Sequence, residues 1–381
     1  MWASQRRGMT VRMTPLDELA TLLRPAGAGL YLVSTGRAEQ QALQRSLYRV
    51  DSDEAVQRRF REALERVATA RGVLLGIPSD VGAGFQRGAN LGPQAIRARL
   101  LADDADWPSR CEAMGLVDVG DVFVVPQLLH DDMLSAAQLA ASRAALYPGH
   151  PEAGALPVSP LSIAERAWAL LLGLNPGLKV FSLGGDHSTA WPVVRPLNAV
   201  RGGAPWGIVQ SDAHTDLLEE RLGVKYCFAT WSWHANEVLG REGRLTQVGI
   251  RATQRTQAHW ESTLGVRQFW ARDVRADPGG ALDQVLAHVR ASGVTKVLFS
   301  NDIDGTDAAW ADATGTPEPG GLEPDWVCAL IRRLGAEVGL LGGDVMEVAP
   351  SLTRTPQSAE RTVGLAARYL RETVQAALGP R

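Results

Sequence analysis

Three stretches decide how this chain reads: LKVFSLGGDHS (178–188), WGIVQSDAHTD (206–216) and TKVLFSNDID (295–304). Each begins as a short apolar run rich in Val, Ile, Leu or Phe and ends on acids or a histidine. GVLLGIPSD (72–80) and VGLLGGDVMEV (338–348) have the same texture, and helix-like segments follow each run. Continuous apolar strands of this kind suit a sheet covered on both faces. The economical architecture is therefore a doubly wound, mostly parallel α/β domain from about residue 70 to the end.

Upstream, residues 1–70 carry Arg and Glu at helical spacing, as in DEAVQRRFREALERVATA (53–70), and read as an amphipathic helical extension preceding a 71–381 domain. Prolines 126, 148, 151, 157 and 160 mark a loop or insertion within that domain. No internal repeat or low-complexity tract stands out. The chain is long enough, at 381 residues and 45% hydrophobic, to bury a large core. Its 39 Lys and Arg against 42 Asp and Glu leave a net charge of −3, which argues against nucleic acid or an anionic membrane surface as a partner. Three scattered cysteines (Cys111, Cys227, Cys328) exclude a disulfide framework and fit a cytoplasmic setting. No apolar run approaches the roughly 20 residues of a membrane span. The basic start MWASQRRGMTVRM lacks a secretory apolar stretch, with an organelle-transit segment as the alternative.

Ligands in open parallel sheets collect beyond the carboxyl ends of the strands. Three strands end there in Gly184-Gly185-Asp186-His187-Ser188, Asp212-Ala213-His214-Thr215-Asp216 and Asp302-Ile303-Asp304-Gly305-Thr306-Asp307. Alternation along a strand would put the acids and histidine of D-x-H-x-D on one side, and the two acids of D-x-D likewise. Gathering so many carboxylates is costly unless something positive sits among them. A pair of divalent ions is the simplest candidate. Carboxylate oxygen with some imidazole favours Mn²⁺, Mg²⁺ or Fe²⁺ over a thiolate-seeking ion, and such a pair activates water, so hydrolysis is the expected reaction. The glycines at 82, 84 and 88 lack dinucleotide-loop spacing, and the scattered tryptophans read as packing.

GGDHS, DAHTD and SNDIDGTD, in this order and spacing, resemble the signature blocks of the ureohydrolase family of arginases and agmatinases. GIPSDVGAGFQRGANLGPQAIR (76–97), TGTPEPGGL (314–322) and DVMEVAPSLTRTP (344–356) resemble further segments of that family, so the likeness spans about 76–370. It implies a three-layer αβα fold around a mostly parallel eight-stranded sheet, and two Mn²⁺ ions per subunit. The first ion would be held by His187, Asp212, Asp216 and Asp302, and the second by Asp212, His214, Asp302 and Asp304, with Asp212 and Asp302 bridging. The implied reaction is hydrolysis of a linear amidine, a guanidino compound giving urea and an amine. Asp307 matches a family acid that steadies or moves a proton, and Glu347 falls in the block that holds the guanidinium. The resemblance also implies a homo-oligomer, a trimer or hexamer as is common in the family.

The segment LLEERLGVKYCFATWSWHANE (217–237) departs from the family pattern. A histidine that would assist the leaving amine is absent, and Phe228-Ala229-Thr230 or Cys227-Phe228 aligns in its place. His234 could supply an imidazole, or be packed beside Trp231 and Trp233. Cys227 could approach the metals or be a small buried side chain. Glu219 and Glu220 could meet a cationic substrate tail, or form a solvated face with Arg221. The alternatives to guanidine hydrolysis are a formimidoyl-type amidine hydrolase of the formiminoglutamase kind and a metal-binding but catalytically silent regulatory subunit.

Overall fold

The computed structural model describes residues 13–355 and 357–380. Its centre is one sheet of nine strands: β1 (Leu23–Arg24), β2 (Gly72–Ile77), β3 (Leu116–Val122), β4 (Lys179–Gly184), β5 (Gly207–Ser211), β6 (Leu245–Ile250), β7 (Arg267–Trp270), β8 (Val297–Asn301) and β9 (Leu340–Val345). They lie in the order β1-β3-β2-β4-β9-β8-β5-β6-β7. The eight strands from β2 to β9 pair in parallel, and only β1 runs antiparallel, along the outer edge of β3. The sheet thus has one strand more than the eight expected. The addition comes from the N-terminal extension, where two residues after helix Pro15–Leu22 pair with Val122 and Asp121.

Side chains alternate between the two faces as strand geometry requires. Val73, Leu75 and Ile77 of β2 enter one core, and Leu74 enters the other. Val180 of β4 likewise opposes Phe181 and Leu183. Helices Pro160–Leu174, Val194–Val200 and Trp231–Leu239 contribute to the first core, and Gly92–Asp103, Pro278–Ala291, Pro324–Glu337 and Ser358–Leu378 to the second. The result is three layers, αβα.

The extension joins the first core. Leu19, Leu22, Leu23, Phe60 and Leu64 are buried with the β2 and β3 side chains. Glu18 receives two hydrogen bonds from Arg166, and the backbone N–H groups of Gly27 and Gly29 donate to Asp121 at 2.8 and 3.2 Å. In the proline-rich interval, Asp131 accepts from the N–H groups of Val158 and Ser159 ahead of helix Pro160–Leu174, while helix Ala136–Leu146 opens on a Ser135–Gln138 capping box. Among the described residues no helix is long and apolar enough to cross a membrane.

Candidate metal centre

Adjacent strands β4, β9, β8 and β5 occupy the middle of the sheet, and their carboxyl ends deliver every expected metal ligand. His187 follows β4, Asp302 and Asp304 follow β8, and Asp212, His214 and Asp216 follow β5. Glu347 follows β9. Neighbouring parallel strands end side by side, so residues far apart in sequence meet within a few ångströms.

The local mechanism differs from simple strand alternation. Both ligand stretches lie in tight loops just past the strands. Asp212 accepts the N–H of His214 at 2.6 Å, an Asx-type turn, and Asp302 accepts the N–H of Asp304 at 2.9 Å while capping a short 3₁₀ turn. Asp216 adopts a left-handed φ of 51° and Glu347 one of 61°, conformations that cost non-glycine residues energy and that cluster at functional sites. Gly305 allows the two loops to touch: a Cβ there would stand 2.7 Å from the backbone nitrogen of Asp212.

Two groups of donors result. Nδ1 of His187 lies 3.1 Å from Asp212 Oδ2, 3.3 Å from Asp216 Oδ2 and 3.1 Å from Asp302 Oδ2. Nδ1 of His214 lies 3.1 Å from Asp304 Oδ2 and 3.6 Å from Asp212 Oδ1. His187, Asp212 and Asp216 form one potential cation site, and Asp212, His214 and Asp304 a second. Asp212 belongs to both, offering a different oxygen to each imidazole, as a bridging ligand must.

The donor set fits divalent ions. Nδ1 of His187 is buried without a properly directed hydrogen-bond partner, despite three carboxylate oxygens around it. Its other ring nitrogen lies 3.1 Å from Ser300 Oγ, and Ser300 in turn donates to Asp344 at 3.0 Å. With the Nε2–H turned toward Ser300, the Nδ1 lone pair faces the carboxylates, which is the tautomer a metal requires. Separations near 3.1 Å are those of ligands sharing one ion at about 2.1 Å. Oxygen and imidazole donors without a thiolate suit a hard or borderline divalent ion.

Electrostatics support this assignment. Burial disfavours a charged imidazole, yet Asp304 and Asp212 overcome it and push His214 up to about 12. Three aspartates hold His187 well above its usual range against the same penalty. Burial, reinforced by Asp304 and Asp212, drives Asp302 well above the carboxylate range, and burial with the charge of Asp212 takes Asp216 to about 6. Asp212 is held low in spite of its burial, by its contacts with both imidazoles. The acids around each imidazole thus favour positive charge at the centre.

Glu347 is buried beside this cluster. Its Oε1 accepts the N–H of His187 at 3.0 Å, and Oε2 lies 3.8 Å from where a Gly315 Cβ would stand. Burial, and then the nearby Asp186, raise it well above the carboxylate range. Among the described residues, none of the remaining anticipated side chains makes a hydrogen bond or ion pair to the six candidate ligands, although Cys227 is near enough to Asp186 and Asp216 for their charges to act on its thiol. Asp307 accepts from the N–H groups of Ala309 and Gly321, both at 2.9 Å, and pairs with Arg275 at 3.3 Å. The His234 ring packs against Trp191, Tyr226 and Trp233, with a nitrogen 2.9 Å from the carbonyl of Lys225. Cys227 is buried, and burial raises its thiol. Glu219 and Glu220 are exposed on the 217–230 loop.

Several supporting residues escaped the sequence reading. A buried row of amides crosses three strands in register: Gln268 on β7 donates to Gln247 on β6 at 2.8 Å, Gln247 donates to Gln210 on β5 at 2.8 Å, and Gln210 donates to Asp212 Oδ2 at 2.7 Å. Trp231 donates to Asp216 Oδ2 at 3.0 Å and lies against the His187 ring, and Thr316 donates to Asp304 Oδ2 at 3.1 Å. Arg251 donates to the carbonyls of Gly249, Asp304, Gly305, Thr306, Glu318 and Pro319, tying the Asp304 loop to the segment that carries Thr316. Polar residues inside otherwise apolar strands were the available signal.

Comparison with known proteins agrees with this arrangement. A guanidinobutyrase of Pseudomonas aeruginosa is 29% identical over 74% of this chain and 79% of its own length. An agmatinase of Chromobacterium violaceum is 30% identical over 78% of this chain and 80% of its own. The crystal structure of the agmatine ureohydrolase of Thermoplasma volcanium superposes with a TM-score of 0.59 at 26% identity, covering 81% of this chain and 90% of that one. The model of the arginase family matches residues 70–375, nearly the whole interval that builds the parallel sheet and its ligand loops, and the chain belongs to that family.

Proposed function

We propose that the protein is a binuclear manganese hydrolase that cleaves a C–N bond of a guanidino compound, consuming water and giving urea and an amine. The observation that carries this reading is the paired donor set around the two histidines, with Asp212 common to both halves. Two ions held by His187, Asp212, Asp216, Asp302, His214 and Asp304 would lower the pKa of a shared water enough to make it a nucleophile near neutral pH.

The chain's own residues supply the rest. Glu347 borders the cluster with one oxygen held by the His187 N–H, leaving the other to accept from a planar guanidinium. This favours a guanidine over a formimidoyl group. The relatives' names, guanidinobutyrase and agmatinase, point the same way. Asp307 or His234 would move the proton to the leaving amine after local rearrangement, because residues 217–230 contain no histidine.

The test is a urea-release panel on Mn²⁺-loaded protein, using arginine, agmatine, 4-guanidinobutyrate, 3-guanidinopropionate and guanidine, with metal content measured on the same sample. Urea from at least one member is expected. Two bound ions with no urea from any would overturn the proposal in favour of a formimidoyl substrate or a silent subunit.

A further inference from the structure

Two loops at the carboxyl side of the sheet, residues 80–88 after β2 and 217–230 after β5, flank the metal centre. They are fastened to each other and to the site. The N–H of Phe228 donates to the carbonyl of Gly82 at 3.1 Å, and the N–H of Gly82 donates to Asp186, the neighbour of His187, at 3.0 Å. The Phe228 ring rests against Gly84, where a Cβ would be only 3.4 Å away. On the other side, the carbonyl of Gln86 lies 3.3 Å from a Cβ position at Gly315, which itself is 3.8 Å from Glu347 Oε2. The 80–88 loop thus runs close to the proposed guanidinium-binding carboxylate, and Phe228 of the second loop packs on it.

Each loop carries a guanidinium without a carboxylate partner among the described residues. Arg221 lies over the face of Phe228 at 4.8 Å from the ring centroid, and Arg87 makes one 3.3 Å hydrogen bond to the carbonyl of Val81. Both are exposed. Most other arginines near the surface are paired with acids, such as Arg45 with Asp53 or Arg333 with Glu337. Arg221 is also fixed at its backbone: it exchanges both hydrogen bonds with Val224 across a tight turn whose tip, Leu222–Gly223, has φ values of 52° and 79°. The cation–π contact holds the guanidinium over Phe228, and the five N–H donors of a guanidinium suit a carboxylate. Among the described residues, Glu219 and Glu220, two and one residues earlier, have no side-chain hydrogen bond or ion pair.

Resting on the proposed guanidine hydrolysis, we infer that the substrate carries a carboxylate at the end remote from its guanidinium, and that Arg221, stacked on Phe228, is the specificity-determining residue that binds it. Arg87 on the facing loop adds positive potential. The substrate is therefore zwitterionic: its cation is read by Glu347 and its anion by Arg221. Such a pairing of opposite charges at the two ends also selects against a diamine-like guanidine, whose distal ammonium would meet Arg221.

The test compares three probes that differ only in the tail: 4-guanidinobutyrate with a carboxylate, agmatine with an ammonium, and butylguanidine with none. On the Mn²⁺-loaded enzyme, kcat/KM for 4-guanidinobutyrate should exceed that for agmatine by about 10-fold or more, one charge-assisted hydrogen bond being worth roughly that factor. Arg221→Gln should raise KM for 4-guanidinobutyrate about 10-fold and leave kcat and the butylguanidine parameters near wild type, with Arg221→Lys between them. Preference for agmatine, or an unchanged KM in Arg221→Gln, would overturn the inference while leaving guanidine hydrolysis standing. Titration calorimetry with the same probes reads binding without turnover. If no urea is released, tighter binding of 4-guanidinobutyrate that is lost in Arg221→Gln supports the carboxylate subsite by itself, and equal binding of all three removes it.

Discussion

At the outer edge of the sheet, Asp118 and Asp121 of β3 share one buried guanidinium. At its centre, four aspartates share two imidazoles. Arg97 answers the edge cluster completely, reaching both oxygens of Asp118 at 2.8 and 3.0 Å and also Asp121, whose second oxygen takes the N–H groups of Gly27 and Gly29. The charges of both acids hold the guanidinium protonated in spite of its burial. No Lys or Arg side chain pairs with the central acids among the described residues; Arg251 is near, but its donors go to backbone carbonyls. At the edge the chain itself supplies a guanidinium and two backbone N–H groups to the acids, whereas at the centre the only cationic side chains it offers are two imidazoles that are also metal-ligand candidates. A buried acid cluster thus reads as structural or functional according to whether the chain supplies its counter-charge.

Removing Asp304 should have the largest effect at the centre. Asp304→Ala deprives His214 of its nearer carboxylate, so elemental analysis should find about one ion per chain where the wild type holds two, and most turnover should be lost. Two retained ions would break the contrast. At the edge, Arg97→Met strands Asp121 in the core and should cost about 3–5 kcal/mol in urea unfolding. The double change Arg97→Met with Asp121→Leu should recover part of that loss, because the carboxylate left without its guanidinium is then only the partly exposed Asp118, and the metal content of both variants should stay at the wild-type value.

The centre should also be the half of the comparison that responds to pH. Its ions bind neutral imidazole, and His214 is pushed up to about 12 by Asp304 and Asp212 against the cost of burial. Metal uptake must therefore release protons, and the apparent affinity should rise with pH by about tenfold per unit for each proton displaced. Calorimetry in buffers of different ionisation enthalpy counts those protons, and a pH-independent affinity would contradict the assignment. The smallest expected effect comes from the amide row. Gln247→Leu removes a support of Gln210 without touching Asp212, and should weaken metal binding by about 10–100-fold with little change in unfolding free energy beyond that of one buried polar substitution.

The sequence carried the strand ends of β2, β4, β5, β8 and β9 because their apolar runs and terminal acids are local features. The six ligands were legible for the same reason. It did not announce β1, since two residues have no pattern of their own, nor the amide row, because Gln210, Gln247 and Gln268 become partners only when β5, β6 and β7 align in register. Strand alternation grouped the candidate ligands for an incomplete reason: the D-x-H-x-D and D-x-D stretches lie past the strands, where side-chain-to-backbone hydrogen bonds at Asp212 and Asp302 turn them inward.

The chain by itself determined which residue types are available and which apolar faces must be buried, since both follow from covalent composition and period. Only the tertiary structure decided that His187, Asp212 and Asp302 share a few ångströms, that His234 faces an aromatic cluster while Phe228 packs on the 80–88 loop, and that Arg97 is matched to its acids while the central carboxylates meet two imidazoles. Those are long-range pairings set by strand order, and strand order is a property of the packed sheet.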